Sequence, residues 1–111
     1  MDENENKLVI AEKLFEKYGA KPLEINKRNR EKFGERRIFF YQDNYYRVGK
    51  LLSEKDAEKY MVVSCIDNEK YAEIGMLEDI EAIPFSADEA EIEKQIRLIL
   101  GIDQYPENFY Q

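Results

Sequence analysis

The sequence predicts an α+β domain, in which an antiparallel meander of four or five strands is flanked by an N-terminal and a C-terminal helix. Apolar residues recur at helical spacing near both ends of the chain. Between about residues 37 and 85 they recur with the period of two that is typical of strands, and short polar segments interrupt them. A chain of 111 residues accommodates one core, so we assign residues 1–111 to a single domain.

The first helix is predicted from about Asn4 or Glu5 to Tyr18, and Gly19 is suited to end it. Its apolar stripe comprises Leu8, Ala11, Leu14, Phe15 and Tyr18. Pro22 prevents the helix from continuing. The segment that follows, to about residue 35, is irregular: it could form a short strand at Leu23 and Ile25 and a helical turn or two ending at Gly34.

Two strands, Arg37–Gln42 and Tyr45–Leu52, are predicted to form a hairpin around the turn residues Asp43 and Asn44. With this turn, one face of the hairpin carries Phe39, Tyr41, Tyr46 and Val48. Gly49 lies inside the second strand pattern, which indicates a bulge or a close approach of another group to the backbone.

A third strand is predicted at Lys59–Ile66 and a fourth at Lys70–Leu77. The pairing that gathers the apolar groups on one side places Met61, Val63 and Cys65 beside Ala72, Ile74 and Met76. Ile80–Phe85 either prolongs the fourth strand or forms a short fifth one, which Pro84 would end.

A capping box predicts the start of the C-terminal helix. In it, the side chains of Ser86 and Glu89 would each accept a hydrogen bond from the other residue's backbone N–H. Gly101 is suited to end this helix. The apolar stripe of the helix comprises Ile92, Ile96, Ile99 and Leu100. The tail, Ile102–Gln111, is aromatic enough that we expect it to dock on the domain.

The predicted sheet is apolar on both faces, whereas an antiparallel sheet with one solvated face alternates with polar residues. The side opposite the proposed core would carry Tyr45, Tyr60, Val62, Ile66, Tyr71 and Leu77. We therefore expect a helix, the tail or another chain to cover that side.

The charge is unevenly distributed. The net charge is −7, yet residues 1–60 sum to +2 and residues 61–111 to −9, and the basic excess lies in Lys21–Arg37. Nucleic acid is disfavoured as the main partner, because phosphate binding requires clustered cations. Single-strand binding by the basic segment and nearby tyrosines remains an alternative, but the glycine-aromatic motifs of ribonucleoprotein sheets are absent. The basic segment could instead lie against the acidic second half of the chain within the fold, or against the acidic half of another copy.

No residue pattern predicts catalysis, a cofactor or a metal site. The chain has no histidine, which removes the commonest general base and nitrogen ligand. Cys65 lies in an apolar run without an adjacent cation, so we interpret it as a core residue. The carboxylates follow no calcium-loop spacing and are typical of a solvated surface, although a carboxylate-based enzyme is an alternative.

A cytoplasmic location is expected. A lone cysteine cannot form an intrachain disulfide, and no apolar run approaches the roughly 20 residues that cross a bilayer. The acidic segment Met1–Asn6 is the reverse of a secretory signal.

The function predicted is a non-catalytic protein-binding module with a basic partner. Acidic side chains would steer the partner and tyrosines would anchor it. The predicted partner-binding residues are Tyr45, Tyr60, Tyr71, Glu78, Asp79 and Glu81. The composition is of the kind found in small bacterial inhibitors, such as immunity proteins and antitoxins that mask cationic nucleases. The alternative is a homodimeric regulatory or ligand-binding domain.

Overall fold

A computed structural model describes residues 3–24, 37–50 and 59–104, and it confirms the predicted α+β architecture. A five-stranded antiparallel sheet is flanked by an N-terminal and a C-terminal helix. The elements are α1 (Glu3–Lys17), β1 (Lys21–Pro22), β2 (Ile38–Tyr41), β3 (Asn44–Lys50), β4 (Tyr60–Ile66), α2 (Glu69–Glu73), β5 (Glu78–Pro84) and α3 (Glu89–Ile99).

The strands follow one another across the sheet in the order β1-β2-β3-β4-β5, and each neighbouring pair is antiparallel. Consecutive strands therefore lie side by side, as in a meander. The strand β1 is only two residues long, and the backbone of Leu23 continues its contact with β2 by donating to the carbonyl of Ile38 at 2.8 Å.

One face of the sheet, which we call the helix face, packs against α1 and α3. Its side chains are Phe39, Tyr46, Val48, Met61, Val63 and Ile83, all buried in one cluster with Leu8, Ala11, Leu14, Phe15, Ile92 and Ile96 of the helices. Phe15 stacks on Phe39 with ring centroids 5.5 Å apart. The predicted helical stripes thus meet the predicted face of the hairpin.

The ends of α1 and α3 are joined by a polar network. Lys17 forms an ion pair with Glu93 at 2.6 Å, and the Tyr18 hydroxyl donates to the same carboxylate. Arg97 holds Asp103 by two bonds of 2.7 and 2.8 Å. The hydrogen bond from Lys17 is the main reason that the pKa of Glu93 lies below its usual value.

The hairpin between β2 and β3 turns one residue earlier than predicted. Gln42 and Asp43 form the turn, with φ of 45° and 67°, and Tyr41 pairs with Asn44. Two successive positive φ values characterise the tight turn that matches the twist of a hairpin. Moving the turn by one residue shifts the pairing by two, so the faces predicted for the hairpin are right although the register is not.

The predicted fourth strand, Lys70–Leu77, is wrong, because part of it forms the short helix α2. The side chain of Asn68 caps this helix by accepting from the backbone nitrogen of Tyr71 at 3.2 Å, and Gly75 follows with φ of 80°. On the side of β4 away from β3, the neighbouring strand is β5, which begins two residues before the predicted fifth strand. Ala72, Ile74 and Met76 are therefore not strand partners of Met61, Val63 and Cys65.

The predicted capping box is also wrong in position. Asp88 is the residue that caps α3, since its carboxylate accepts from the backbone nitrogen of Glu91 at 2.9 Å. Ser86 lies two residues before this cap and is exposed. Because an N-cap side chain reaches only two or three residues ahead, a helix that begins at Glu89 needs its cap at Asp88.

Predictions for three segments lie outside the described residues. They concern the strand or helical turn at 25–36, the continuation of the second hairpin strand at 51 and 52, and the docking of the aromatic tail at 105–111.

Candidate functional site

The three predicted acidic residues lie at the start of β5, which is an edge strand of the sheet. Glu81 pairs with Val63 and Glu78 with Cys65, so both carboxylates project from the helix face. Asp79 pairs with Ser64 and projects from the opposite face. The pairing skips Ile80, which marks a β-bulge, and without this extra residue Glu78 and Glu81 would lie on opposite faces.

The three predicted tyrosines do not form one surface. Tyr45 and Tyr60 share the face opposite the helices, but Tyr45 pairs with Ile66, six residues along β4 from Tyr60. At about 3.3 Å per residue the two lie roughly 20 Å apart. Tyr71 is on α2 rather than on a strand, so its predicted place on this sheet face is wrong.

Tyr60 lies in a shallow cleft at the far end of the sheet. The cleft is lined by Glu3, Asn4, Lys59, Tyr60, Pro84, Phe85 and Ser86. Its walls carry a cation and a carboxylate, so it has no uniform charge. The structure therefore separates Tyr60 from the acidic start of β5.

The segment from α2 to the middle of β5 combines the predicted residues Tyr71, Glu78, Asp79 and Glu81 with exposed apolar side chains that sequence reasoning missed. Four large apolar side chains are exposed there: Tyr71 (50%), Ile74 (39%), Met76 (55%) and Ile80 (47%). Residues 67–81 also contain six carboxylates and one cation, Lys70. We call this segment the acidic–apolar surface, and the carboxylates that it takes from β5 project from both faces of the sheet. Its carboxylates are Asp67, Glu69, Glu73, Glu78, Asp79 and Glu81.

A groove runs beneath α2, on the sheet face opposite α1 and α3, and has a volume of about 250 Å³. Its floor is formed by Leu23, Ile38, Tyr45 and Ala72, and its rim carries Glu24, Glu69 and Glu73. Ala72 is buried, so its small side chain lets α2 lie close to the sheet. The ring of Phe40 packs beside that of Tyr45 at 5.0 Å between centroids.

Among the described residues that line the groove, the charged ones are the carboxylates Glu24, Glu69 and Glu73. The pKa of Tyr45 is raised, first because the phenol is partly removed from water, and then because Glu69, Asp43 and Glu73 are nearby. Each of these carboxylates disfavours a second negative charge on the tyrosine. A positive charge entering the groove would experience the opposite effect.

A polar row crosses the middle of the same sheet face. Arg47 pairs with Ser64, which pairs with Asp79, and the Ser64 hydroxyl donates to Asp79 at 2.7 Å. Burial lowers the pKa of Arg47, and the Asp79 carboxylate opposes that shift. A Cβ on Gly49 would lie 2.1 Å from Nη1 of Arg47, so the predicted close approach at Gly49 is that of the guanidinium. Asp79 is thus part of the fold as well as of the surface.

Two kinds of group could carry chemistry: the thiol of Cys65 and clusters of metal-ligating side chains. Cys65 is half-buried on the helix face, and removal from water is the main reason that its pKa is raised. A thiol with a raised pKa is mostly protonated at neutral pH and reacts slowly. Within residues 3–24, 37–50 and 59–104, no three or more Cys, Asp or Glu side chains are grouped as metal ligands.

A local signal could have revealed α2 from the sequence. Asn68 followed by Glu69, Lys70 and Ala72 has the cap and the helix-forming residues of a helical start. The apolar spacing of Ile74 and Met76 favoured a strand instead. Placing Glu69 and Glu73 against Tyr45 required the tertiary structure.

No protein-family model matches the sequence, and no curated protein or solved structure matches it either. In the part of the chain that the structure describes, none of the helices has the length and apolar character needed to span a membrane.

Proposed function

We propose that the protein is a non-catalytic protein-binding module whose acidic–apolar surface docks on a basic protein. The observation that supports this most directly is the coincidence of exposed apolar groups and carboxylates in one segment. Tyr71, Ile74, Met76 and Ile80 supply area that a partner can desolvate. The carboxylates around them supply a field of one sign.

The sign of that field indicates the partner's charge. Six carboxylates against one cation in residues 67–81 attract a cationic surface and repel an anionic one. Charge of this kind accelerates encounter, and the acceleration falls as salt rises. Desolvated apolar anchors then slow dissociation.

Docking by this surface is favoured over the addition of a partner's strand to the β5 edge of the sheet. The edge strand β5 contains a bulge at Ile80 and ends at Pro84, which has no backbone donor. Both features hinder the addition of another strand. The same charge argument disfavours a symmetric dimer through this surface, since a two-fold axis would place its carboxylates against each other.

The proposal is that of an inhibitor-like module, of the type represented by bacterial immunity proteins and antitoxins that mask cationic nucleases. It rests on composition and surface charge, and on the absence of histidine from the chain. A cytoplasmic setting belongs to the proposal, because the single cysteine is compatible with a reducing compartment.

The test compares the capture of proteins from native cell lysate by the immobilised wild type and by the Glu78→Lys/Glu81→Lys variant. Both residues are at the edge of the sheet, whereas Asp79 is left intact because it bonds Ser64. We expect a basic protein to be captured by the wild type and lost by the variant. Stopped-flow mixing with the purified partner should then show an association rate at least tenfold lower for the variant at low salt.

The control is Glu16→Lys/Glu89→Lys, which makes the same change of charge on the exposed sides of α1 and α3. It should capture the partner as the wild type does. Capture of acidic proteins alone, or association rates equal in the wild type and the Glu78→Lys/Glu81→Lys variant, would contradict the proposal.

A further inference from the structure

The groove beneath α2 differs from the cleft at Tyr60 in that the charged residues lining it, among those that the structure describes, are all carboxylates. Its carboxylates come from two separate parts of the chain: Glu24 follows β1, while Glu69 and Glu73 belong to α2. Residues four apart on a helix lie on the same side, so Glu69 and Glu73 both face the groove. The fold therefore converges three acids on one apolar floor.

The size of the groove suits a single side chain. Pockets for drug-sized ligands usually measure roughly 300–1,000 Å³. The groove, at about 250 Å³, is smaller and is partly open to solvent. Its floor of Leu23, Ile38 and Tyr45 offers an aliphatic and aromatic surface on which a hydrocarbon stem can lie.

The rim determines which side chain is compatible with the groove. A neutral apolar group would partly remove the three carboxylates from water and would offer them no hydrogen bond in return, which is costly. An acidic or phosphorylated group would be repelled. A cation with a long apolar stem satisfies both the floor and the rim.

Arginine fits this combination better than lysine. Its planar guanidinium carries donors in a fork and can bond two carboxylates at once, and it stacks on the face of a tyrosine ring. A lysine ammonium is a more strongly hydrated point charge. Tyr45 on the floor and the pair Glu69 and Glu73 on the rim supply the partners that a guanidinium uses.

We infer that this groove receives an arginine side chain of the basic partner, with the stem on Ile38 and Tyr45 and the guanidinium among Glu24, Glu69 and Glu73. The inference rests on the proposed function, and it names the group that the partner must present. The groove adjoins the acidic–apolar surface through α2, so one partner can occupy both.

The experiment titrates the ¹⁵N-labelled full chain with acetyl-Gly-Arg-Gly-amide and follows the backbone amide resonances. The comparison peptides contain citrulline, which has the shape of arginine without its charge, or lysine. We expect saturable shifts at Leu23, Tyr45 and Ala72 with the arginine peptide. Affinity for the citrulline peptide should be at least tenfold lower, and that for the lysine peptide intermediate.

The variant Glu69→Gln/Glu73→Gln should lower the affinity for the arginine peptide at least tenfold. The matched control Glu16→Gln/Glu89→Gln removes the same charge from the helix side and should change the affinity less than twofold. Retention of the native Ala72 resonance verifies that the Gln variant is folded. Equal binding of arginine and citrulline peptides, equal affinities in both Gln variants, or no saturable shift at these residues would overturn the inference.

The two proposals fail separately. In one outcome, the wild type captures a basic partner that the Glu78→Lys/Glu81→Lys variant does not capture, and the arginine peptide does not bind in the groove. The inference is then wrong and the proposed function stands. If the arginine peptide binds in the groove but lysate yields no basic partner, the proposed function is overturned and the preference of the groove for arginine stands.

Discussion

The side chains on the two faces of the sheet are buried in different ways. The helix face is covered by α1 and α3, and its side chains join one continuous apolar cluster. The opposite face carries a buried arginine, a serine bonded to Asp79, and a groove rimmed by carboxylates. Exposed apolar side chains begin where this face meets α2 and β5.

The difference teaches where specificity for a partner can be located. The part of the helix face that packs against α1 and α3 is filled by apolar side chains and has few groups left for recognition. Glu78 and Glu81 project from this face only at its β5 edge. A face that combines polar groups with a groove keeps charges and a shape that a second molecule can recognise. Under the proposed function, stability depends on the packed part of the helix face, and recognition depends on the β5 edge and the opposite face.

The sharpest test of this comparison replaces isoleucines of the two regions. Ile96 is fully buried between α3 and the helix face, and Ile96→Ala should lower the free energy of unfolding by about 2–5 kcal/mol. Ile80 is 47% exposed, and Ile80→Ala should lower it by only about 0.5 kcal/mol. Urea titration measures both, and comparable losses would show that the two regions do not differ as described.

The polar row should contribute less than the core but more than the surface. Asp79→Ala leaves the fully buried Ser64 hydroxyl without its acceptor and should cost about 1–3 kcal/mol in urea titrations. Asp79→Asn keeps an acceptor oxygen and should cost less. Glu78→Ala, at the neighbouring exposed position, should stay within about 0.5 kcal/mol of the wild type. A loss at Glu78 as large as at Asp79 would remove the distinction between the row and the surface.

The smallest effect is expected at the start of α3. Asp88→Ala removes the side-chain cap on Glu91 and should cost about 1 kcal/mol. Ser86→Ala should change the stability by less than about 0.5 kcal/mol, because Ser86 precedes the cap and is exposed. Thermal or urea unfolding of the pair measures this, and the reverse order would restore Ser86 as the cap.

Much of the helix face could be predicted from the sequence. The stripes of α1 and α3 have a period near 3.6 and those of β2, β3 and β4 a period of two, and both patterns are local. Even the displaced turn at Gln42 and Asp43 preserved the faces of the hairpin, because pairing shifts by two residues when a turn moves by one. Periodicity therefore determined which residues form the core.

Only the tertiary structure decided the features of the candidate site. The segment at Tyr71–Met76 has apolar residues at alternating positions, yet α2 ends only at Glu73, Ala72 is buried, and Ile74 and Met76 are exposed. The groove unites Glu24 with Glu73, which are 49 positions apart in the sequence. The sequence by itself determined the amounts of charge and apolar surface and the elements of the core. Where the remaining charges converge depends on contacts between distant segments, which no local period encodes.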